Sequence, residues 1–376
     1  MTINADTTNL RARLATSLPA DLPGPWRTAF QTVERHRFVP RFALRDRATG
    51  TFTHYDVDDP DPKRRAAALA AAYTDDTLIT RFDSDGRGIS SSTEPSLMAS
   101  MLAALDTQPG HRIMEIGTGT GYNAALLCEV RGDDRVTTID VDPELTTTAQ
   151  TTLAHAGYTP TVVCGDGAAG VPDRAPFDRI IATCGVGRVP VAWLDQLAPA
   201  GAILATVSTG IVLLRDTGNG TVSGRFHGGA GFMPLRTAGY QPQWPARRII
   251  DHTNTAPDTT HTTTIPAGLD FRTAAMFTGL IAENSDLTFR SQNDTVISHR
   301  WIHPGSGSWV RVDLNGDHAT VGQAGPRRLW DELTPILDTW QAAGRPDIGR
   351  FGLTVHRDGR HVLWLDSPDH MITQLP

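Results

Sequence analysis

"MEIGTGTGYNAALL", residues 114–127, places an apolar strand end, three glycines at alternate positions and a helical apolar pattern in direct succession. A strand that runs through a glycine-rich turn into a helix opens a nucleotide-binding α/β unit. Glycines serve there because, without Cβ, they let the backbone approach a ligand closely. The spacing is Gly117-x-Gly119-x-Gly121, and the loop holds no basic residue. A dinucleotide site needs GxGxxG with a pyrophosphate on the helix N-terminus. A P-loop needs GKS or GKT, which is absent.

Working outward, short apolar runs alternate with amphipathic stretches from about residue 66 to 236, the pattern of βαβ units. "HRIMEI", "RVTTIDV", "PTVVCGDG", "FDRIIATC" and "GAILATVS" read as strands, the middle ones nearly all apolar as buried parallel strands are. "YNAALLCEV" and "PELTTTAQTTLAHAG" read as helices, the second opened by Asp142 before Pro143. "IVLLRDTGNGTVSGRF" reads as a hairpin added at the sheet's edge. Residues 8–48 read as helical and 49–65 as irregular. Residues 251–264, poor in apolar side chains, read as a linker or surface loop. Beyond them helices ("FRTAAMFTGLIAE", "PRRLWDELTPILDTWQAAG"), strands ("SWVRVDL", "HATVGQ") and a hairpin ("FGLTVHRDGRHVLWLD") make an α+β accessory domain.

A cofactor with no phosphate, a cationic sulfonium and an amino-acid tail suits the loop better than a dinucleotide. It tolerates acids nearby, and three strands in succession end on one: Glu115, Asp140 and Asp166. Asp140 is placed to accept both ribose hydroxyls, and Asp166 in "CGDG" to accept from an adenine amine. All three fall on the rim where open α/β sheets bind ligands. Singly, Glu115 is equally a solvated strand-end carboxylate and Asp140 a cap. As an ordered set they point to S-adenosylmethionine and to a class I, Rossmann-like methyltransferase.

The rest of the composition bounds the function. The 376 residues suit two domains, and the apolar (39%) and charged (20%) fractions are those of an ordinary globular chain. A net charge of −7 argues against nucleic acid or a membrane surface as the main partner. Cys128, Cys164 and Cys184 form no CxxC pair, which suits buried thiols in a reducing compartment and no metal site. "MTINADTTNL" lacks the pattern of a secretory signal, and no run approaches the ~20 apolar residues of a membrane span. A cytoplasmic location is the expectation.

Several motifs in series resemble the protein-L-isoaspartate O-methyltransferase family. "AAYTDDTLITRFDSDGRGISSSTEPSLMASML" (residues 71–102), leading into the glycine loop, is similar to that family's "AY-x-D-x-x-L" and "TIS-x-P-H-M". "VERHRFVP" (33–40) is similar to its "VPR-x-x-FV". "CGDG", "APFDRIIATCGV", "VPVAWLDQLAPAGAIL" and "GFMPLR" keep the family's order, so the likeness spans roughly residues 8–236. The resemblance implies an N-terminal helical extension (1–65), a methyltransferase core (66–236) and an accessory domain (237–376) suited to peptide recognition. It implies cofactor contacts from Glu115, Gly117, Thr118, Gly119, Gly121, Asn123, Asp140, Val141, Gly165, Asp166, Gly167 and Thr183.

Two departures stand out. Aligned on proline, "S-x-P-H" has become Thr93-Glu94-Pro95-Ser96, and the chain runs on past residue 236. Both resemble a branch that accompanies graspetide and lanthipeptide maturases. The implied activity is methyl esterification of an aspartate in a ribosomally made, modified precursor peptide, leading to aspartimide. Repair of isoaspartate in damaged proteins is the alternative. A catalytically weak peptide-binding module and a small-molecule methyltransferase are further ones. The oligomeric state stays open, a monomer being compatible.

A substrate carboxylate with a pKa near ~4 is already ionised and needs no general base. Neutral donors orient it without trapping it as arginine would, because the charges of anion and sulfonium cancel on the way to the transition state. Ser91, Ser92 and Thr93 are the candidates for that role. Four successive short hydroxyl side chains are poor strand or helix interior, so Ser92 or Thr93 equally reads as an N-cap before Glu94-Pro95. The tryptophans Trp301, Trp309, Trp330, Trp340 and Trp364 read as packing residues, and His303, His318 and His356 lack metal-like spacing.

Overall fold

Three short helices open the chain: α1 (Thr8–Ser17), α2 (Gly24–Thr32) and α3 (Arg35–Phe38). The computed structural model describes residues 7–46, 49–237, 244–264, 269, 271–283, 285–292, 295–316 and 318–376. Strands β1 (Arg41–Arg45), β2 (Phe52–Asp56), β3 (Leu78–Phe82) and β4 (Gly88–Ser92) form an antiparallel sheet in the order β2-β1-β3-β4, with α4 (Pro62–Ala72) inserted after β2. Residues 41–45 are therefore strand rather than helix, and 52–56 are ordered. Phe42 packs with Val39, Val57, Tyr73 and Leu78, with Leu44 against the same cluster, so tertiary burial overrides the local pattern.

The serine run is a strand as well. Ser90 and Ser92 are buried while Ser91 between them is half-buried, the alternation of a pleated strand. Pairing with β3, Ser91 opposite Ile79 and Ser92 opposite Leu78, supplies the backbone bonds that four hydroxyls would otherwise compete for. Helix α5 (Pro95–Leu105) follows. Its N-cap is Glu94, which makes no side-chain capping bond, so neither Ser92 nor Thr93 caps it. Asp75 Oδ1 takes the Ser96 N–H instead, at 2.8 Å.

The alternating pattern then folds as expected into β5 (Ile113–Ile116), α6 (Tyr122–Arg131), β6 (Val136–Asp140), α7 (Pro143–Ala156), β7 (Thr161–Cys164) and β8 (Phe177–Val186). β5 pairs in parallel with β6 on one side and β8 on the other, and β7 lies beyond β6. All four residues of β5 are buried, as a central parallel strand requires. β7 is only half-buried, and Cys164 at its end is exposed, unlike buried Cys128 and Cys184. Asp142 caps α7 by accepting from the N–H groups of Glu144 (3.0 Å) and Leu145 (3.2 Å). α8 (Val191–Asp195) and β9 (Leu197–Val207) come next.

The chain groups into two units. One holds Met1–Cys184, Asp195–Leu204 and Leu235–Thr237; the other holds Gly185–Leu194, Ala205–Pro234 and Ala238–Pro376. In the second, β10 (Gly210–Asp216) and β11 (Thr221–Gly229) form the expected hairpin. They are followed by α9 (Ala246–Thr253), β12 (Thr259–Thr264), α10 (Phe271–Ile281), β13 (Asp286–Gln292), β14 (Thr295–His303), β15 (Ser308–Asn315), β16 (His318–Ala324), α11 (Leu329–Ala342), β17 (Phe351–His356), β18 (His361–Leu365) and β19 (Met371–Gln374). β12 to β16 make an antiparallel sheet in the order β12-β16-β15-β14-β13.

Two readings are corrected here. The β10–β11 hairpin is no edge, because β17 pairs with β11 and carries β18 and β19 beyond it. Residues 251–264 are no linker: they include the end of α9 and β12, whose threonines pair along β16. β12 is polar because it is exposed, which hid its strand character. Trp301, Trp309, Trp330, Trp340 and Trp364 are all buried, as packing residues should be.

Gly352 shows how tight this second unit is. A methyl there would lie 2.1 Å from Trp364 Cη2, and the indole is fixed by its bond to Thr354 Oγ1 (3.0 Å). Gly352→Ala is expected to cost about 1–3 kcal/mol of stability, the usual price of overpacking. The midpoint of urea unfolding measures it, and an unchanged midpoint contradicts it.

Candidate functional site

The carboxyl ends of β5, β6 and β7 form one rim, and the glycine loop rises from it. Gly117, Gly119 and Gly121 have φ of +96°, +51° and +85°, a left-handed path that residues with a Cβ rarely follow. A methyl on Gly117 would also sit 2.9 Å from Thr183 Oγ1. The loop is pinned by its own backbone: the N–H groups of Gly117 and Thr118 reach Ile139 O at 2.8 and 3.2 Å. Thr183 Oγ1 lies 2.8 Å from Gly117 O and 3.1 Å from Ile116 O, holding the strand–loop junction from β8.

Asp140 closes the loop against the end of β6. One carboxylate oxygen accepts from Gly119 N–H (3.0 Å), the other from Asp142 N–H (3.1 Å). Val141 between them is half-buried. Asp166 accepts from Ala168 N–H at 2.9 Å, and Gly165 N–H donates to Asp140 O at 2.9 Å. Gly167 has no room for a side chain, since a Cβ would lie 2.7 Å from Ile116 Cγ2 and 3.0 Å from Leu235 Cδ1. The rim is thus a backbone-lined cradle bordered by two carboxylates.

Glu115, Thr118 and Asn123 lie beneath the cradle with their side chains buried. Glu115 accepts from Asn123 Nδ2 (2.7 Å) and Thr138 Oγ1 (2.6 Å), and Thr138 also bonds Thr118 Oγ1 (2.7 Å). Asn123 Oδ1 is buried without a partner among the described residues. Burial pushes the Glu115 carboxyl up to about 7, against the opposing pull of its two donors.

Arg236, the last residue of "GFMPLR", was not singled out by its pattern. Its guanidinium lies 3.8 Å from Asp140 Oδ1 and 3.7 Å from Asp142 Oδ2. Arg81 shares Asp142 with it, at 3.3 Å, and also pairs with Glu144 at 2.7 Å. An arginine closing a motif otherwise apolar was the only signal available for Arg236.

The serine strand runs beside the loop, its Ser91 carbonyl 3.8 Å from where a Gly119 Cβ would stand. The three candidate hydroxyls separate here. Ser92 is buried and its Oγ accepts from Arg35 Nε at 3.4 Å. Ser91 and Thr93 are half-buried, and among the described residues their hydroxyls have no hydrogen-bond partner. Ser90, also buried, accepts from Thr80 Oγ1 at 3.2 Å. Ser96, where the resembling family has histidine, donates to Glu94 Oε1 at 3.1 Å.

A parallel sheet with a GxGxG cradle, a carboxylate after the second strand and another after the third defines a class I S-adenosylmethionine-dependent methyltransferase. The cradle suits that cofactor's lack of phosphate, because its walls are backbone and carboxylate. Residues 64–238 match the family model "Protein-L-isoaspartate(D-aspartate) O-methyltransferase". The protein-L-isoaspartate O-methyltransferase of Methanopyrus kandleri is 36% identical over 214 residues, 55% of this chain and 81% of that one. The enzyme of that name from Pyrococcus horikoshii is 36% identical over 148 residues, 38% of this chain and 66% of its own. A solved structure named protein-L-isoaspartate O-methyltransferase matches the fold with a TM-score of 0.55 at 19% identity, covering 96% of this chain and 99% of that one. This chain belongs to the protein-L-isoaspartate O-methyltransferase family and is an S-adenosylmethionine-dependent carboxyl O-methyltransferase. Among the described residues, no helix is long and apolar enough to cross a membrane.

The Glu115 network carries a pH signature. Folding raises this carboxyl from 4.5 to about 7, so its contribution is fully present below pH ~4.5 and is lost as pH rises toward 7. The swing is about 3 kcal/mol. The stability of Glu115→Gln relative to the unsubstituted chain is expected to rise by up to that amount between pH 4.5 and 8, read by urea unfolding. A pH-independent difference contradicts it.

Proposed function

We propose that this chain methyl-esterifies the free α-carboxylate of an isoaspartyl residue in a peptide or protein, and that Ser91 and Thr93 hold that carboxylate. The observation that carries the proposal is the placement of the serine strand against the glycine loop. The Ser91 backbone passes within 3.8 Å of where a Gly119 Cβ would stand, and Ser91 and Thr93 carry the two hydroxyls not spent on internal bonds.

S-adenosylmethionine, when bound, supplies an electrophilic methyl group on a cationic sulfur. Gly117, Gly119, Gly121, Gly165 and Gly167 are proposed to shape its cradle, Asp140 to receive the ribose hydroxyls and Asp166 the adenine amine. Arg236 would turn away from Asp140 as those hydroxyls arrive. Val141 lines the edge between the two carboxylates of 140 and 142, and Thr183 holds the loop's shape. Glu115, Thr118 and Asn123 act from beneath, by fixing the loop.

The acceptor is anionic at neutral pH and needs no proton removed. A carboxylate oxygen forms the O–CH3 bond as the S–CH3 bond breaks, its electron pair stays on sulfur, and both formal charges vanish. Two neutral hydroxyls orient the carboxylate for in-line attack and lose little as its charge falls. The ester can then lose methanol to the neighbouring backbone N–H, closing a succinimide without further help from the chain.

An aspartate in a ribosomally made precursor peptide is the second reading. What favours it is Ser96-for-histidine beside the acceptor strand. The extra length does not discriminate, since a structure named for the isoaspartate enzyme spans the same architecture. In either case residues 237–376 are proposed to recognise chain flanking the acceptor, while residues 66–236 carry the chemistry and 1–65 support it.

Methyl transfer to two peptides of one sequence, one isoaspartyl and one aspartyl, separates the readings: turnover of the isoaspartyl peptide alone is expected. Turnover only of an aspartate in a modified precursor overturns the proposal in favour of the second reading. Ser91→Ala and Thr93→Ala are each expected to lower kcat/KM roughly 10- to 100-fold, the worth of a hydrogen bond to a charged group.

A further inference from the structure

Arg35 is wholly buried, on the four-residue helix α3. Its guanidinium donates to the carbonyls of Ala72 (3.3 Å), Thr74 (2.9 Å), Asp76 (3.0 Å), Ser92 (3.3 Å) and Thr93 (3.0 Å), and its Nε to Ser92 Oγ. These acceptors lie on two separate pieces of chain. One is the end of α4 and the turn after it, which also carries Asp75, the residue that receives the Ser96 N–H of α5. The other is the end of the acceptor strand β4.

The same guanidinium carbon lies 5.8 Å from the centroid of the Tyr122 ring. Tyr122 is the first residue of α6, directly after Gly121. Phe30 and Phe38 flank that ring at 6.3 and 5.7 Å, and its buried hydroxyl has no partner among the described residues. One cation therefore touches the serine strand, the turn that supports α5 and the helix that grows out of the glycine loop.

Burial of a guanidinium is costly, and an apolar residue of similar volume often serves a core equally well. Burial lowers the Arg35 pKa to about 10, so the group remains charged at neutral pH and keeps all five N–H donors. Those donors form a rigid planar fork, which a lysine cannot imitate. That geometry suits fixing two backbone segments relative to each other, and filling space does not require it.

We infer that Arg35 is a positioning residue for methyl transfer, setting the distance between the Ser91 and Thr93 hydroxyls and the glycine loop. The inference rests on those hydroxyls being the acceptor site. Clamping the carbonyls of Ser92 and Thr93 fixes the peptide planes on either side of Thr93 and the end of the strand that bears Ser91. Released, the strand end can drift from the loop, and a misplacement of about 1 Å costs on the order of 100-fold in rate.

The test uses the full chain with Arg35→Lys. Steady-state methylation of an isoaspartyl peptide and calorimetric binding of S-adenosylhomocysteine are measured below the unfolding temperature of the variant. The expected result is a roughly 100-fold fall in kcat, with the peptide KM and S-adenosylhomocysteine affinity little changed. An unchanged kcat overturns the inference, as does a loss of S-adenosylhomocysteine affinity in proportion to kcat, which marks a general scaffold role. If Arg35→Lys does not fold, Ser92→Ala removes one acceptor from the fork and is expected to lower kcat at unchanged S-adenosylhomocysteine affinity. An unchanged kcat there overturns the inference. Ser91→Ala and Thr93→Ala run alongside: silence in both overturns the acceptor reading and this inference with it. Losses in both with a silent Arg35→Lys overturn this inference alone.

Discussion

Asp140 receives the Gly119 N–H at 3.0 Å, and through that bond a flexible glycine loop becomes a fixed cradle. Glycine at 117, 119 and 121 is needed for the positive φ path, yet glycine is also the residue that loses most entropy on being ordered. The cost is offset by bonds that arrive from several strands. Ile139 O takes the N–H groups of Gly117 and Thr118, and Thr183 of β8 bonds the carbonyls at the start of the loop. A loop held from β6 and β8 together keeps its shape before any ligand arrives, which is the condition for aligning a transfer reaction.

Beneath the loop the structure uses burial against itself. Glu115 is a carboxyl in a dry site, unfavourable when ionised, and its two donors only partly compensate. Its return is rigidity, since Asn123 at the start of α6 and Thr138 of β6 are both held to one residue of β5. Arg35 follows the same logic at the serine strand, with the opposite charge and backbone carbonyls as partners. Two buried ionisable groups thus brace the glycine loop and the end of the serine strand.

The strand–loop–helix unit and its cradle were legible in sequence because GxGxG is followed as expected by a positive-φ loop, with Asp140 and Asp166 at the ends of the next two strands. What those readings missed was direction. Glu115, Thr118 and Asn123 sit in the motif but turn inward, and a one-dimensional pattern does not show which way a side chain points. The serine run was misread as non-strand because its strand character comes from pairing with β3, a partner about ten residues away whose own pattern is weak. Once paired, the two-residue period of the strand separates Ser91 from Ser90 and Ser92. Arg35 stood in the quoted "VERHRFVP" motif, but its role was hidden in the same way, since its partners lie tens of residues along the chain in two different elements. In the second unit β12 is a threonine edge and β13–β14 a hairpin without a strong alternating pattern, so only their pairing defines them.

Family membership sets the class of chemistry, methyl transfer to a carboxylate, and the acceptor is proposed to lie at Ser91 and Thr93. The most direct measurement is a crystal structure of the chain with S-adenosylhomocysteine and an isoaspartyl peptide. The account predicts the acceptor carboxylate within hydrogen-bond distance, about 3 Å, of Ser91 Oγ or Thr93 Oγ1, facing the sulfur across the glycine loop. A carboxylate held by other groups, with both hydroxyls out of reach, would contradict it.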